Sequence, residues 1–388
     1  MKLAALMCCV LCLAATGRPE GRPLQRDAAA TGRPEGRPLQ RDAAATGRAE
    51  GPPQQRGGRP LQNGAAPVIN DVLAAQVALD REGFSPGEID GRAGRNLQRA
   101  VAAFQKEHQL PATGQRDDPT WKALTEASGG APPLVEYTIA DADLAGPFTS
   151  NIPPTLPEQA TLDALNYRSA LEAIAERSHS SPAVLKQLNP QKTFQQAGER
   201  ILVPNVAVTA TTGSTGPAET TGTTGTTTGA PRTTGTRGTA PAAGTKAAAP
   251  AANLTLFVTK STSALTIEDA GGRVLFHAPV TSGSEHDPLP IGTWKVNGVQ
   301  RNPPFHYNPD LFWDATPGDS KATIPPGPNN PVGVLWIDIS KPHYGIHGTP
   351  EPSKIGHVES HGCVRLTNWD AERVAQWAKP GMRVVFRE

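Results

Sequence analysis

The stretch His343-Tyr-Gly-Ile-His347-Gly-Thr349, closed further on by Ser360-His-Gly-Cys363-Val-Arg365, sets one thiol beside two imidazoles in a short segment. A cysteine attacks only as its thiolate, and an imidazole is the usual group to take the proton. Cys363 is therefore the candidate nucleophile and His347 the candidate proton acceptor and donor. Gly362 lets the backbone approach a substrate closely, so the N–H groups at Gly362 and Cys363 are candidates for an oxyanion site. His361 is a secondary candidate, either steadying the thiolate or serving only the loop. Arg365 offers a planar fork that suits a carboxylate, with an uninvolved exposed cation as the rival reading. Ser360 and Tyr344 complete the substrate-binding candidates. The bland alternatives are an inert buried cysteine and zinc ligation by His343, His347, His357 and His361. The absence of an HExxH pattern weighs against zinc, and no metal or cofactor is expected.

The other cysteines, Cys8, Cys9 and Cys12, fall in residues 1–15, which read as a secretory signal: one lysine, a short apolar run, then small residues. Export to a periplasm or cell wall is the expectation, with ordinary cleavage favoured over lipid attachment because Leu11 precedes Cys12. The apolar run is too short to span a bilayer, and no transmembrane segment is expected in the mature chain. That leaves Cys363 as the mature thiol, unpaired and so to be read as reactive. A net charge of +1 gives no reason to expect nucleic acid as a partner. The 39 glycines and 39 prolines point to folded modules separated by unstructured segments.

Outward from the motif, residues 16–30 recur almost unchanged as 31–45, but each copy offers a single leucine among Gly, Pro, Arg and Ala. Stacking needs an apolar face, so residues 16–65 are expected to be disordered repeats. Residues 66–128 read as small and all-α: Val72, Leu73 and Val77 have helical spacing, as do Leu97, Val101 and Phe104, with turn signals at Asp90-Gly91. Residues 135–206 read as strand over 135–144, two helices over 171–177 and 182–188, and a strand over 201–204. Residues 207–252 are rich in Thr, Gly, Pro and Ala, a flexible linker long enough to let a wall-anchored N-terminal half present the catalytic half across tens of ångströms. Residues 253–388 are β-rich, with strand patterns over 254–259, 264–268, 273–280, 292–299, 332–339 and 383–386, and a helix over 370–378 capped by Asn368.

The His-Gly-Thr and Ser-His-Gly-Cys-Val-Arg pattern resembles the L,D-transpeptidase (YkuD-type) catalytic domain, and the likeness runs from about Leu254 to Arg387, including the stretch 324–333. Asp90-Gly91, Ala100-Val101, Phe104-Gln105, Leu110-Pro111, Thr113-Gly114 and Thr120-Trp121 resemble the type 1 peptidoglycan-binding domain. Residues 135–206, with Leu188-Asn-Pro190 and Ile201-Leu-Val-Pro204, look like a LysM module, a glycan binder. These likenesses imply a multidomain chain in which an all-α module, an α+β module and a mainly β, sandwich-like catalytic domain are joined by disordered linkers.

The catalytic likeness implies that Cys363 attacks a peptidoglycan tetrapeptide stem between its diamino acid and terminal D-alanine, after His347 has accepted the thiol proton. It implies that the Gly348 carbonyl orients His347, and that a neighbouring stem's amine resolves the thioester. Water as acceptor would make a carboxypeptidase, and an envelope protein's lysine would make an anchoring enzyme; a silent wall-binding protein is the non-enzymatic alternative. Partners are stem peptides and glycan strands. A papain-like order would put a histidine after the cysteine, where this sequence has none, and the S-x-x-K of serine transpeptidases is absent.

Overall fold

Asn70 opens the first helix: its side-chain oxygen accepts from the Leu73 N–H at 2.7 Å, pairing a donor that a helix start leaves orphaned. The computed structural model describes residues 70–206 and 254–388, except 313, 314, 316, 317, 319, 359 and 361, all within the unit Gly64–Glu388. The signal-like segment, the repeats, the linker and His361 lie outside the described residues.

Helices α1 (Asp71–Arg81), α2 (Arg95–Glu107) and α3 (Asp118–Ala127) enclose Leu79, Phe84, Leu97, Val101, Phe104 and Leu124. Buried Gln105 explains the spacing of the Phe-Gln and Thr-Gly signatures. Its Nε2 donates to the Gln115 carbonyl and the Thr120 hydroxyl, both at 2.8 Å, and its Oε1 accepts from Gly114 N–H.

The middle module comprises β1 (Leu134–Thr138), α4 (Asp141–Leu144), α5 (Leu156–Gln159), α6 (Ala170–Arg177), α7 (Pro182–Leu188) and β2 (Arg200–Pro204), with β1 and β2 antiparallel. The strand expected over 135–144 stops at Thr138. Asp143 turns the chain there, accepting from the Ala140 N–H at 2.8 Å and the Tyr137 hydroxyl at 2.6 Å, and a helical turn follows.

The last module is β3 (Thr255–Thr259), β4 (Ala264–Glu268), β5 (Val274–Pro279), β6 (Thr281–Ser282), β7 (Gly292–Arg301), β8 (Phe305–Tyr307), β9 (Ala322–Ile324), β10 (Leu335–Ile339), β11 (Gly345–His347), β12 (Val364–Arg365), α8 (Asn368–Ala375) and β13 (Arg383–Arg387). The nine-stranded sheet runs β5-β4-β3-β13-β7-β10-β11-β12-β6. Long β7 joins its two parts, pairing β13 through Gly292–Lys295 and β10 through Val296–Arg301. Alternation sends Leu256, Val258, Leu265, Ile267, Ile337 and Phe386 into one core. The cap of α8 is Thr367, not Asn368: Thr367 Oγ1 accepts from the Asp370 N–H at 3.2 Å.

The three modules pack against one another. Leu73, Val77 and Ile89 share a core with Leu134, Val184, Leu188 and Val206, so the first two modules bury one another's apolar faces. Gly83 and Ser85 bond the backbone of His277 in β5, at 2.9 and 2.8 Å, and Val274 packs on the first module's core. Leu165 N–H donates to Pro326 O and Leu165 O accepts from Asn329 N–H, both at 2.9 Å. Buried Asp80 of α1 receives both terminal nitrogens of Arg373 in α8, at 3.1 and 2.8 Å, and pairs with His179 Nδ1 at 3.0 Å. Apolar faces and charges from all three modules are thus buried against each other.

Candidate active site

Strand β11 lies antiparallel to β10 and parallel to β12, with Ile346 opposite Val364 and His347 opposite Arg365. Opposed residues of parallel strands share a face, as do residues two apart. One step back in that register sets Cys363 level with Gly345, so Cys363, Arg365 and His347 project from one face. The sequence motif is thus two adjacent strand ends.

His347 is buried, and its Nδ1 donates to the Gly348 carbonyl at 2.7 Å. A carbonyl only accepts, so Nδ1 carries the proton and Nε2 is the basic nitrogen. The ring also stacks on Trp336, centroids 5.3 Å apart and planes 15° apart. Burial and the nearby Arg365 charge hold the imidazole neutral, titrating at about 3 despite the Gly348 bond.

Cys363 is half-buried and has no disulfide partner among the described residues, with its sulfur 3.9 Å from the His343 carbonyl. Burial pushes the thiol above its ordinary range; the Gly345 N–H and the Arg365 charge pull the other way, and Asp287 adds to the rise. Gly362 has φ +94, in the left-handed region, and a Cβ there would lie 2.6 Å from the Tyr344 ring. Tyr344 therefore lies over the turn that presents the thiol, and burial, then Asp287 and Cys363, raise its phenol. Ser360 is buried: its hydroxyl donates to the Cys363 carbonyl and accepts from Gly283 N–H, both at 2.7 Å, pinning the turn to the end of β6. Gly348 lies at the end of β11 with its carbonyl on His347.

Residues 254–386 match the family described as the YkuD, L,D-transpeptidase catalytic domain. Residues 69–124 match the "Putative peptidoglycan binding domain". The "Putative L,D-transpeptidase YkuD" of Bacillus licheniformis is 48% identical over 59 residues, 15% of this chain and 36% of that protein. The "Probable L,D-transpeptidase YbiS" of Escherichia coli (strain K12) is 43% identical over 65 residues, 17% of this chain and 21% of that protein. The matched stretches thus span about a third or less of those relatives. A solved L,D-transpeptidase from Mycobacterium smegmatis aligns over 35% of this chain and 59% of its own, at 17% identity and TM-score 0.29, a likeness too slight to argue from.

The YkuD-matched domain also uses residues that the motif does not announce. Asp287 acts on both Cys363 and Tyr344, from a turn in which Ser284 Oγ accepts its N–H at 2.9 Å. One of its carboxylate oxygens is buried without a hydrogen-bond partner among the described residues. Asn368, expected as a cap, instead places its Oδ1 against Gly348: a Cβ on that glycine would lie 2.2 Å away. Nothing local marks Asp287, lying 76 residues before Cys363 (363 − 287). Asn368 did carry a signal, its polarity at a helix start, but Thr367 competes for that position and takes it.

Proposed function

We propose that this chain is a peptidoglycan L,D-transpeptidase, with Cys363 as nucleophile and His347 as proton donor and acceptor. The observation that carries the reading is the pairing of β11 with β12, whose register sets the side chains of His347, with its tautomer fixed by Gly348, and of half-buried Cys363 on one face. Cys363 Sγ attacks the carbonyl between the stem's diamino acid and D-alanine; the C–S bond forms, the C–N bond breaks, and the thiol proton passes through His347 Nε2 to the departing D-alanine amine. An acceptor amine then attacks the thioester, its proton returns through His347 to sulfur, and a new amide remains.

Burial raises the Cys363 thiol, while burial and the Arg365 charge hold the His347 imidazole neutral; both directions disfavour a free ion pair at rest and support proton transfer that accompanies attack. The turn at Gly362 supports an oxyanion site at its own and Cys363's N–H groups. Arg365 stabilises the thiolate as sulfur gives up its proton and suits a stem carboxylate. Tyr344 borders the substrate, and Ser360 contributes by fixing the turn. His361 is proposed as secondary on sequence alone.

The peptidoglycan-binding match supports a wall partner, and the order β1, helices, β2 supports a LysM-like glycan contact in the middle module. Export through the segment 1–15 to a periplasm or cell wall belongs to the same reading. Incubation with disaccharide-tetrapeptide and mass analysis tests it: a cross-linked dimer supports transpeptidation, loss of D-alanine alone indicates a carboxypeptidase, and unchanged substrate refutes both. A lysine-bearing envelope protein added as acceptor tests anchoring.

A further inference from the structure

Glu176, at the end of α6 in the middle module, reaches the catalytic domain through one hydrogen bond. Its Oε1 accepts from Asn368 Nδ2 at 3.1 Å and from the Tyr167 hydroxyl at 3.0 Å. Asn368 Nδ2 has a second acceptor in Pro328 O at 3.1 Å, while its Oδ1 accepts from Val334 N–H at 3.2 Å. The amide is therefore bonded in one sense only, with nitrogen toward acceptors and oxygen toward a donor.

That oxygen is wedged against the active-site backbone. A Cβ on Gly333 would come within 2.0 Å of it, and one on Gly348 within 2.2 Å. Gly348 is the residue whose carbonyl fixes the tautomer of His347 at 2.7 Å. An amide turned over would set its NH2 against the Val334 N–H and crowd both glycines. The acceptors that forbid this are Pro328 O and, from another module, Glu176.

We infer that Glu176 is a positioning residue for His347, acting through the Asn368 amide and the Gly348 carbonyl, so that the middle module completes the catalytic geometry. The inference rests on the proposed role of His347 as base. It does not depend on Glu176 being charged, since Oε1 accepts in either state. Burial first, then Glu172 and Glu372, raise its carboxyl to about 8, against the bonds from Asn368 and Tyr167. Arg177, His179 and Glu372 line the same cavity of about 30 Å³. Among the described residues, the charged and titratable groups that act on the reacting pair are Arg365, Asp287 and Tyr344.

The test is acylation of Cys363 in the full chain by a β-lactam, followed by intact-protein mass over a pH series. Glu176→Met keeps the volume and removes the acceptor; Glu176→Gln keeps the acceptor. Misplacing a reacting group by a fraction of an ångström to one ångström costs on the order of tenfold to a hundredfold. Glu176→Met is expected to acylate about tenfold more slowly at pH 7, with the deficit closing as pH rises and the thiol ionises unaided, while Glu176→Gln stays near wild type. In a His347→Ala background, Glu176→Met should add no further loss, because the group it positions is gone. A deficit that is flat with pH, or that persists undiminished beside His347→Ala, overturns the inference and marks Glu176 as purely structural. Should Glu176→Met fail to fold, Tyr167→Phe, which removes the other donor on the same oxygen, must reproduce the pH-dependent deficit on a smaller scale, and a wild-type profile overturns the inference. Failure of the functional reading shows separately, as a wild-type protein that acylates yet leaves stem peptides unchanged.

Discussion

Replacing Asp80 by asparagine should loosen all three modules at once. Its carboxylate receives Arg373 through two nitrogens, at 3.1 and 2.8 Å, and His179 at 3.0 Å. Burial raises its pKa, but the charges of Arg373 and His179 and their bonds outweigh this and hold it below the ordinary carboxylate range. A carboxylate depressed in this way contributes stability that is complete above its unfolded pKa and is lost as pH falls through the folded one, so the effect is full at pH 7. Removing one member of a buried ion pair costs ~3–5 kcal/mol, because the other charge stays buried. Asp370 offsets part of this: burial raises its carboxyl to about 7, and it ionises beside the stranded Arg373. At about 2 °C per kcal/mol for a chain of this size, Tm should fall by ~6–10 °C. Trp369 stacks on His179 with centroids 5.3 Å apart, so it contributes a junction signal to the fluorescence of the six tryptophans during the melt. Asp80→Leu combined with Arg373→Met, which removes both charges, should recover most of the loss. A fall of less than about 2 °C for Asp80→Asn would refute the claim that this network ties the modules together.

Other outcomes follow from the same geometry. Cys363→Ser should melt like wild type yet form no acyl-enzyme by intact mass; retained turnover would exclude it as the nucleophile. His347→Ala should acylate with a β-lactam at least tenfold more slowly at neutral pH and recover as the thiol ionises at higher pH, and an unchanged neutral rate would sink the base assignment. Glu176 titrates at about 8 when folded against 4.5 otherwise, so its contribution to stability declines as pH rises between those values. Glu176→Gln should therefore gain on wild type across that window, by up to ~5 kcal/mol at ~1.36 kcal/mol per unit and by nearer ~2 after allowance for partial exposure; a pH-independent difference in urea midpoints would contradict this. Residues 251–388 alone should melt well below the full chain, since Arg373, Asp370 and Trp369 lose their cover; equal melting would show that the packed faces add nothing.

The grouping of the candidate residues was legible because a parallel strand pair compresses it: His347 and Cys363, 16 apart in the chain (363 − 347), come to one face of adjacent strands. The core strands were legible for a similar reason, as alternation in Leu256–Val258 or Leu265–Ile267 is a local pattern. What escaped was set by partners far along the chain. Asp80 looks like an exposed helical acid until Arg373, 293 residues away, is placed beside it. The end of β1 was misjudged because one side chain, Asp143, outcompeted a run of β-compatible residues. The proton affinities at the site were hidden too, because burial sets them first, and burial is a property of the folded domain rather than of the local sequence.

Strand β5 is the last strand at its end of the sheet, and Gly83–Ser85 of the first module lie along it. An unpaired sheet edge is a template on which other chains add strands, and natural proteins cover or blunt such edges. Here the cover is encoded nearly 200 residues before the edge (277 − 85 = 192), so it is synthesised first. The segment that covers β5 is therefore already made when β5 emerges, so the edge need not wait for later chain to be covered. One contact thus bears on two periods of the protein's life: cohesion once folded, and cover for a sheet edge while the domain is being completed.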